Sequence, residues 1–466
     1  MSSKRHTSLS IGMVHFKTGE TDGVSLEMDK WREVFVSEGH TVYYCCGQPP
    51  MIDNQSTIIP SLSYFSEEAR ALNRGTFENL GDFDSEAAYE EAMERNALAL
   101  TKEFLSWVDS YSLDVLIIEN IWSVGLHPAA AIALENVVHA RRLHVLAHHH
   151  DFYWERVTPI SLTCKPAIRI VDQYLPPHDR QHEHVVINSK AQRALEERKG
   201  ITANIIPNTF DFSNGPWQKD TYNSDVREAF GIKDEDVLLL QATRVVKRKG
   251  IELAIDFAQI LERKLEAYRN TALYNGKVFT DTSKVILMLA GSIENDAGAY
   301  LSQLQAKACM QNVTLIWIGD HISHTRTRRG EKKIYSLWDV YAHADMVTYP
   351  SYWEGWGNQL LEAVKAKLPI VLFPYEIYQS DIRKSGFQMI ELGQKESLTW
   401  DAQGLAQLPS DQVDQAANAA CTVLFNRHAR RDMVESNFKI GKESFSLDTL
   451  RTLLRPYTTT WSNTQW

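Results

Sequence analysis

Cysteine is scarce in this 466-residue sequence, and no two cysteines are spaced as C-x-x-C. Cys45 and Cys46 are adjacent, while Cys164, Cys309 and Cys421 stand alone. That pattern excludes a zinc ribbon and a disulfide framework, and it reads as reduced thiols in a cytoplasmic protein. Long apolar runs are absent too. Val237–Leu240 and Val285–Ala290 fall far short of the roughly 18 residues that span a bilayer. The start, MSSKRHTSLSIG, lacks the apolar core of a signal peptide. The expectation is a soluble chain with no transmembrane segment, with peripheral membrane contact left open. Positive charge is in deficit: 49 Lys and Arg face 59 Asp and Glu, a net −10. A long polyanion is therefore excluded as main partner, so no nucleic acid is expected, although a local basic patch could hold one anion. Neither G-x-G-x-x-G nor G-x-x-x-x-G-K-[ST] occurs, so redox-dinucleotide and P-loop readings lose their support. G-x-S-x-G, H-E-x-x-H and a cysteine-nucleophile signature are missing as well.

What is present is apolar bulk in a repeating order. Hydrophobic residues make up 44% of the chain, enough to rule out global disorder. The length suggests two domains of roughly 200 residues. Short apolar runs such as Ser8–Phe16, Asp114–Glu119, His144–His148, Val237–Thr243 and Met346–Pro350 alternate with amphipathic stretches such as Leu26–Glu38 and Ile251–Arg269. Strands alternating with helices imply an α/β protein with parallel sheets covered on both faces. The polar, Gly- and Pro-bearing stretch Asp211–Ser224 reads as the linker, giving domains over 1–210 and 225–430. Asn270–Ser283 reads as a surface insertion. His321–Lys333 reads either as a solvated mobile loop or as a flap that contacts an anion. Glu67–Glu103 is acidic and reads as a solvent-facing helix.

The chemistry concentrates at strand ends. In PSYWEGWGNQLLEA, Pro350–Ala363, a strand enters a loop with Gly355 and Gly357 and then a helix. Glycines allow close backbone approach, and a helix N-terminus offers N–H groups to an anion. Glu354 and Glu362 bracket that site, which suits a ligand carrying both phosphates and sugar hydroxyls. In TRVVKRKG, Arg244 and Lys249 follow a strand and would neutralise a diphosphate, with Lys247 and Arg248 read as solvated neighbours. GETDG, Gly19–Gly23, is a Gly-bounded loop that opens a helix. In LAHHHDFYWER, Leu146–Arg156, alternation along a strand puts at most two of three consecutive histidines on one face. A substrate-hydroxyl contact there outweighs a structural role and, further behind, a metal site, and the expected metal count is none. His178–His184 reads as a surface or interdomain loop. Asp82–Asp84 is a chance D-x-D in a helical segment.

Together these segments resemble glycosyltransferase family 4. VINSKAQRALEERKGITANIIPNTFD, TRVVKRKG, LAGS and EGWGNQLLE are similar to its successive motifs, and the E-x7-E spacing is the most specific of them. The resemblance implies a retaining enzyme of GT-B fold, with two Rossmann-like domains facing across a cleft. It implies an acceptor on the N-terminal side, a nucleotide-sugar donor on the C-terminal side, and final helices, about 430–466, crossing back. Arg244 and Lys249 would grip the diphosphate, and Glu354 the donor-sugar hydroxyls. Gly355, Trp356, Gly357 and Asn358 would offer backbone N–H groups, Glu362 would bind the ribose, and Gly23 would lie near the diphosphate. His150 with Asp151 would contact the transferred sugar. The implied reaction moves a hexosyl group, glucose or mannose, from a UDP- or GDP-sugar to a small polar or glycan acceptor, with no cofactor. A glycerate-type acid or compatible-solute precursor fits the acidic chain. A retaining disaccharide phosphorylase or synthase is the alternative enzyme, and a sugar-binding module the non-enzymatic one. The oligomeric state is left open. Thr209 stands where the family has Gly, and Phe373–Ser380 replaces its usual small-residue stretch.

Overall fold

A computed structural model describes residues 8–19, 23–48, 55–156, 161–179, 182–293 and 298–463. Its first sheet contains β1 (Ser10–Val14), β2 (Thr41–Cys46), β3 (Ser56–Ile58), β4 (Val115–Glu119), β5 (His144–His149), β6 (His182–Val186) and β7 (Asn204–Ile205). All pairings are parallel, in the order β3-β2-β1-β4-β5-β6-β7. Every residue of β4 is buried, as expected of a parallel strand covered on both faces. Among the helices are α1 (Gly23–Ser37), α2 (Glu86–Tyr111) and α3 (Pro128–Arg141). The acidic segment is not simply solvent-facing. In α2, Tyr89, Met93, Ala97, Leu100, Phe104 and Val108 are buried at helical spacing, which presents one apolar stripe to the core. Both carboxylate oxygens of Asp82 accept from Arg74, at 2.8 and 2.9 Å.

The second sheet contains β8 (Val237–Gln241), β9 (Val285–Leu289), β10 (Thr314–Trp317), β11 (Met346–Tyr349), β12 (Ile370–Leu372) and β13 (Ile390–Glu391). Their order is β10-β9-β8-β11-β12-β13, again all parallel. Its helices include α4 (Ile251–Leu265), α5 (Asn358–Lys365), α6 (Ser410–Phe425) and α7 (Arg427–Ser444). In each sheet the strand order reverses once, between β1 and β4 and between β8 and β11. Ligands bind outside the carboxyl ends of strands at such a switch point.

The chain divides into one unit of Met1–Thr209 with Leu447–Trp466, and another of Phe210–Ser446. The stretch read as a linker therefore belongs to the second unit. The returning segment is also shorter than 430–466. Helix α7 stays with the second unit because Arg430 donates to Asp345 O (2.8 Å), Lys367 pairs with Glu435 (2.7 Å) and Phe438 packs edge-on to Phe212. Only α8 (Leu447–Asn463) joins the first unit. Its buried Leu450, Leu454, Tyr457 and Trp461 share a core with Trp31 and Phe35. Asn204 Nδ2 donates to the Tyr457 hydroxyl (2.8 Å), and Trp461 Nε1 to Glu183 (2.8 Å). The surface insertion Asn270–Ser283 forms a hairpin, and the basic stretch His321–Lys333 carries a second one rather than an unstructured loop. Thr271–Ala272 pairs with Val278–Phe279, and Thr327–Arg329 with Lys332–Ser336. Arg326 is tied to Asp220 and Asp339 and Lys333 to Asp225, so two of the five cations there serve structure. No helix among the described residues is long and apolar enough to cross a membrane.

Candidate functional site

In the second unit, two loops meet at the carboxyl ends of β8 and β11. Gln241 Nε2 donates to Thr243 Oγ1 (2.9 Å), and Thr348 Oγ1 donates to Gln241 Oε1 (2.7 Å), which pins the two strand ends together. The loop after β8 closes on the loop after β11 through Tyr352 N, which donates to Arg248 O (3.1 Å). Gly250 takes φ +59°, and a Cβ there would lie 2.3 Å from Pro350 O. Only glycine fits both demands. Gly291, in the sequence LAGS after β9, meets the close-approach demand alone, since a Cβ there would lie 1.9 Å from Thr243 O.

This contact brings the charges together. The Lys249 ammonium donates to Glu354 Oε1, and both side chains are buried. Arg248 donates to Glu354 Oε2 (3.1 Å) and to Trp353 O (3.2 Å), and its guanidinium stacks over the Trp353 ring. Burial pushes the Lys249 ammonium below its ordinary range, against the pull of Glu354. Burial alone would raise the Glu354 carboxyl, but Lys249 and Arg248 outweigh it and hold the group below the usual carboxylate range. Arg248 is thus not the solvated neighbour that its sequence context suggests. Arg244 is exposed. Glu354 keeps one cation whichever of the two is removed. Arg248→Ala is therefore expected to lower turnover by about tenfold, a loss comparable to one charge-assisted hydrogen bond, measured as kcat at saturating donor.

Helix α5 starts at Asn358, and its N-cap residue is Gly357, which has no side chain to cap it. Gly357 takes φ +127°, and a Cβ there would lie 2.2 Å from the Tyr375 hydroxyl. Tyr375 donates that hydroxyl to Trp356 O (2.7 Å), so the divergent Phe373–Ser380 stretch locks the glycine loop. Glu362 is buried, and Tyr341 donates its hydroxyl to Oε2 (2.8 Å). Burial and the Glu362 charge keep the Tyr341 hydroxyl protonated, well above its ordinary pKa. Gly355 and Trp356 lie in the same loop. The structure thus gathers Lys249, Glu354, Gly355, Trp356, Gly357, Asn358 and Glu362, and adds Arg248, Tyr341 and Tyr375. The tyrosines carry no motif. Arg248 was signalled only by its place in TRVVKRKG.

In the first unit, His150 and Asp151 follow β5. Asn120 follows β4 with φ +60°, a conformation asparagine tolerates better than most residues. Its Oδ1 accepts from His150 N (2.7 Å), and its Nδ2 donates to Asp151 Oδ1 (2.9 Å). Glu119 Oε2 lies 3.2 Å from His150 Nε2 and 3.0 Å from His148 Nδ1. Burial would raise the Glu119 carboxyl, but His148 and His150 bring it down to about 2. His149 points to the other face, its Nε2 3.0 Å from His184 Nδ1. The His178–His184 run is therefore not all surface loop. His182 and His184 are buried strand residues of β6, while Arg180 and Gln181 lie outside the described residues. Gly23 is the exposed first residue of α1, and positions 20–22 of its loop also lie outside the described residues. Sequence reasoning missed Glu119 and Asn120. An acid ending the apolar run VLIIE was the available signal.

The sequence profile of a family described as "Glycosyl transferases group 1" matches residues 223–420. Over 443 residues the chain is 36% identical to a mannosylglucosylglycerate synthase from Petrotoga mobilis, covering 94% of this chain and 99% of that one. Over 446 residues it is 34% identical to the Thermotoga maritima protein of the same name, covering 96% and 99%. A glycosyltransferase structure from Rickettsia africae superposes with a TM-score of 0.65 over 98% of this chain and 100% of that one. At 9% identity that likeness is one of fold.

Proposed function

Because the chain belongs to the group 1 glycosyltransferases, retaining hexosyl-transfer enzymes of GT-B fold, we propose that it moves a mannosyl group from a nucleotide-sugar to glucosylglycerate. The names of relatives matched along nearly their whole length support that pair of substrates.

The single observation that carries the chemistry is the buried Lys249–Glu354 contact at the switch point of the second sheet. In this reading Lys249 and Arg244 hold the donor diphosphate, and the N-terminus of α5 adds backbone N–H groups. Glu354 takes a donor-sugar hydroxyl with one oxygen while Arg248 keeps the other neutralised. Glu362, oriented by Tyr341, takes the ribose. His150 and Asp151 are kept for sugar hydroxyls. As the sugar–oxygen bond breaks, negative charge grows on the diphosphate, and the buried, already placed Lys249 ammonium stabilises it with little reorganisation. The leaving phosphate oxygen takes the acceptor proton on the same face, so the sugar keeps its configuration and no protein nucleophile is used. The leaving group needs no metal, because its charge is met by side chains and a helix end.

The test is incubation of purified protein with GDP-, UDP- and ADP-mannose, and the matching glucose donors, in the presence of glucosylglycerate. One mannose donor is expected to yield mannosylglucosylglycerate with the donor's anomeric configuration, read by NMR. Transfer from glucose donors only would overturn the mannosyl assignment. Phosphate-dependent cleavage of a disaccharide, with no transfer from any nucleotide, would favour a phosphorylase instead.

A further inference from the structure

We propose that the first unit binds one divalent transition-metal ion of the zinc class on Glu119, His148 and His150. The fold brings the three together for two reasons. Strands β4 and β5 pair in parallel with Glu119 opposite His148. His148 and His150 are two residues apart and share a face, whereas His149 is turned away to His184. One ligand atom from each residue lies within 4.8 Å of the other two. The Glu119 Oε2 contacts are 3.0 Å to His148 Nδ1 and 3.2 Å to His150 Nε2. Tetrahedral zinc with bonds of about 2.0–2.2 Å separates its ligand atoms by roughly 3.3 Å, close to both Glu119 contacts, and the His148 and His150 ligand atoms lie within 4.8 Å of each other.

The hydrogen bonding points the same way. Glu119 is 0% and His148 1% exposed. Yet, among the described residues, Glu119 Oε1 and both His148 ring nitrogens have no hydrogen-bond partner. His148 Nδ1 sits at contact distance from Glu119 Oε2 without the alignment of a hydrogen bond. A buried polar atom left so has lost its water without a replacement partner, and an ion would engage the carboxylate and Nδ1 at once. The surroundings orient the ligands as outer groups do around bound metals. Trp31 stacks on the His148 ring with centroids 4.4 Å apart, Asn120 holds His150 N, and Glu119 O lies 2.8 Å from His15 Nδ1. Three protein ligands leave a fourth position for an oxygen ligand, water or a substrate hydroxyl or carboxylate. The ion would fix the ring of His150, and its role is separate from the leaving-group cations of the second unit.

The experiment uses the untagged full chain, stripped with chelator, reloaded with Zn2+ or Co2+ and dialysed. Expected is one ion per chain by elemental analysis, and for Co2+ a tetrahedral ligand-field band in the visible. Glu119→Gln, which keeps the volume, and His148→Ala are both expected to weaken binding at least tenfold and abolish the band. Cys309→Ser, at an exposed thiol, and His139→Ala are expected to change neither. If His148→Ala fails to fold, Glu119→Gln carries the test. Less than a tenth of an ion per chain with no band would overturn the proposal and leave the trio as a metal-free carboxylate–histidine cluster. Full binding by Glu119→Gln would overturn it too.

Discussion

Lys249→Ala is expected to lower sugar transfer at least ~100-fold, the scale of removing one preorganised charge from a developing oxyanion. The residue does two jobs that must be separated. It offsets Glu354 inside the protein, and it is assigned to the donor diphosphate. Removing one partner of a buried pair is strongly destabilising, about 3–5 kcal/mol, when nothing else compensates the remaining charge. Here Arg248 remains on the second carboxylate oxygen at 3.1 Å, so the stability loss is expected at or below the lower end of that range. Thermal unfolding and kcat should therefore diverge: a modest fall in Tm beside a large fall in turnover. The double variant Lys249→Ala with Glu354→Gln removes the unpaired charge. It is expected to recover Tm but not kcat. Recovery of both would mean that Lys249 serves folding alone. Near-normal turnover in the single variant would sink its assignment to the diphosphate.

Gly250→Ala is expected to damage the second unit's site through both backbone strain and close approach. At φ +59° an alanine pays roughly 1–2 kcal/mol in backbone strain. Its Cβ would also sit 2.3 Å from Pro350 O, a backbone atom that cannot swing aside as a side chain would. Overpacking of that kind costs a further 1–3 kcal/mol or so. Relief requires the loop after β8 to part from the loop after β11, which breaks the Tyr352–Arg248 backbone bond and draws Lys249 off Glu354. The expected result is a drop of about 3 kcal/mol in unfolding free energy, with donor KM raised along with lost kcat. Gly276→Ala is the control, because that glycine also has positive φ, +85°, but no atom within 4 Å of its Cβ. It should show the strain without the loss of donor affinity. Equal effects from the two variants would refute the close-approach argument.

Much of the second unit's site was legible in the sequence because its parts are local. Strand, glycine loop and helix follow one another within Met346–Lys365, and a glycine-bearing turn between an apolar run and an amphipathic one has few other solutions. The same holds for Arg244 to Gly250. What stayed hidden was which of several adjacent cations turns inward. In TRVVKRKG four basic residues lie within six positions. The short 3-10 turn at Lys247–Lys249, together with the bond from Tyr352 N to Arg248 O, decides that Arg248 and Lys249 reach Glu354. The tyrosines were hidden for another reason. Tyr341 and Tyr375 hold Glu362 and the glycine loop from separate elements, and a buried tyrosine looks the same in sequence whether or not its hydroxyl is used.

The sequence by itself determined two parallel α/β sheets, all but the edge strands Ser56–Ile58 and Ile390–Glu391, and the loops at the strand ends where a phosphorylated sugar is to be handled. Those follow from hydrophobic alternation and from glycines at turns, which are properties of neighbouring residues. Only the tertiary structure decided that the chain passes between its units at Thr209–Phe210 and returns at Leu447, because burial of Leu450, Leu454, Tyr457 and Trp461 against the first unit is a long-range matter. Only it could place Glu119 against His148 and His150. That meeting depends on the register of β4 against β5, which is set by packing across the whole sheet and not by any residue next to Glu119.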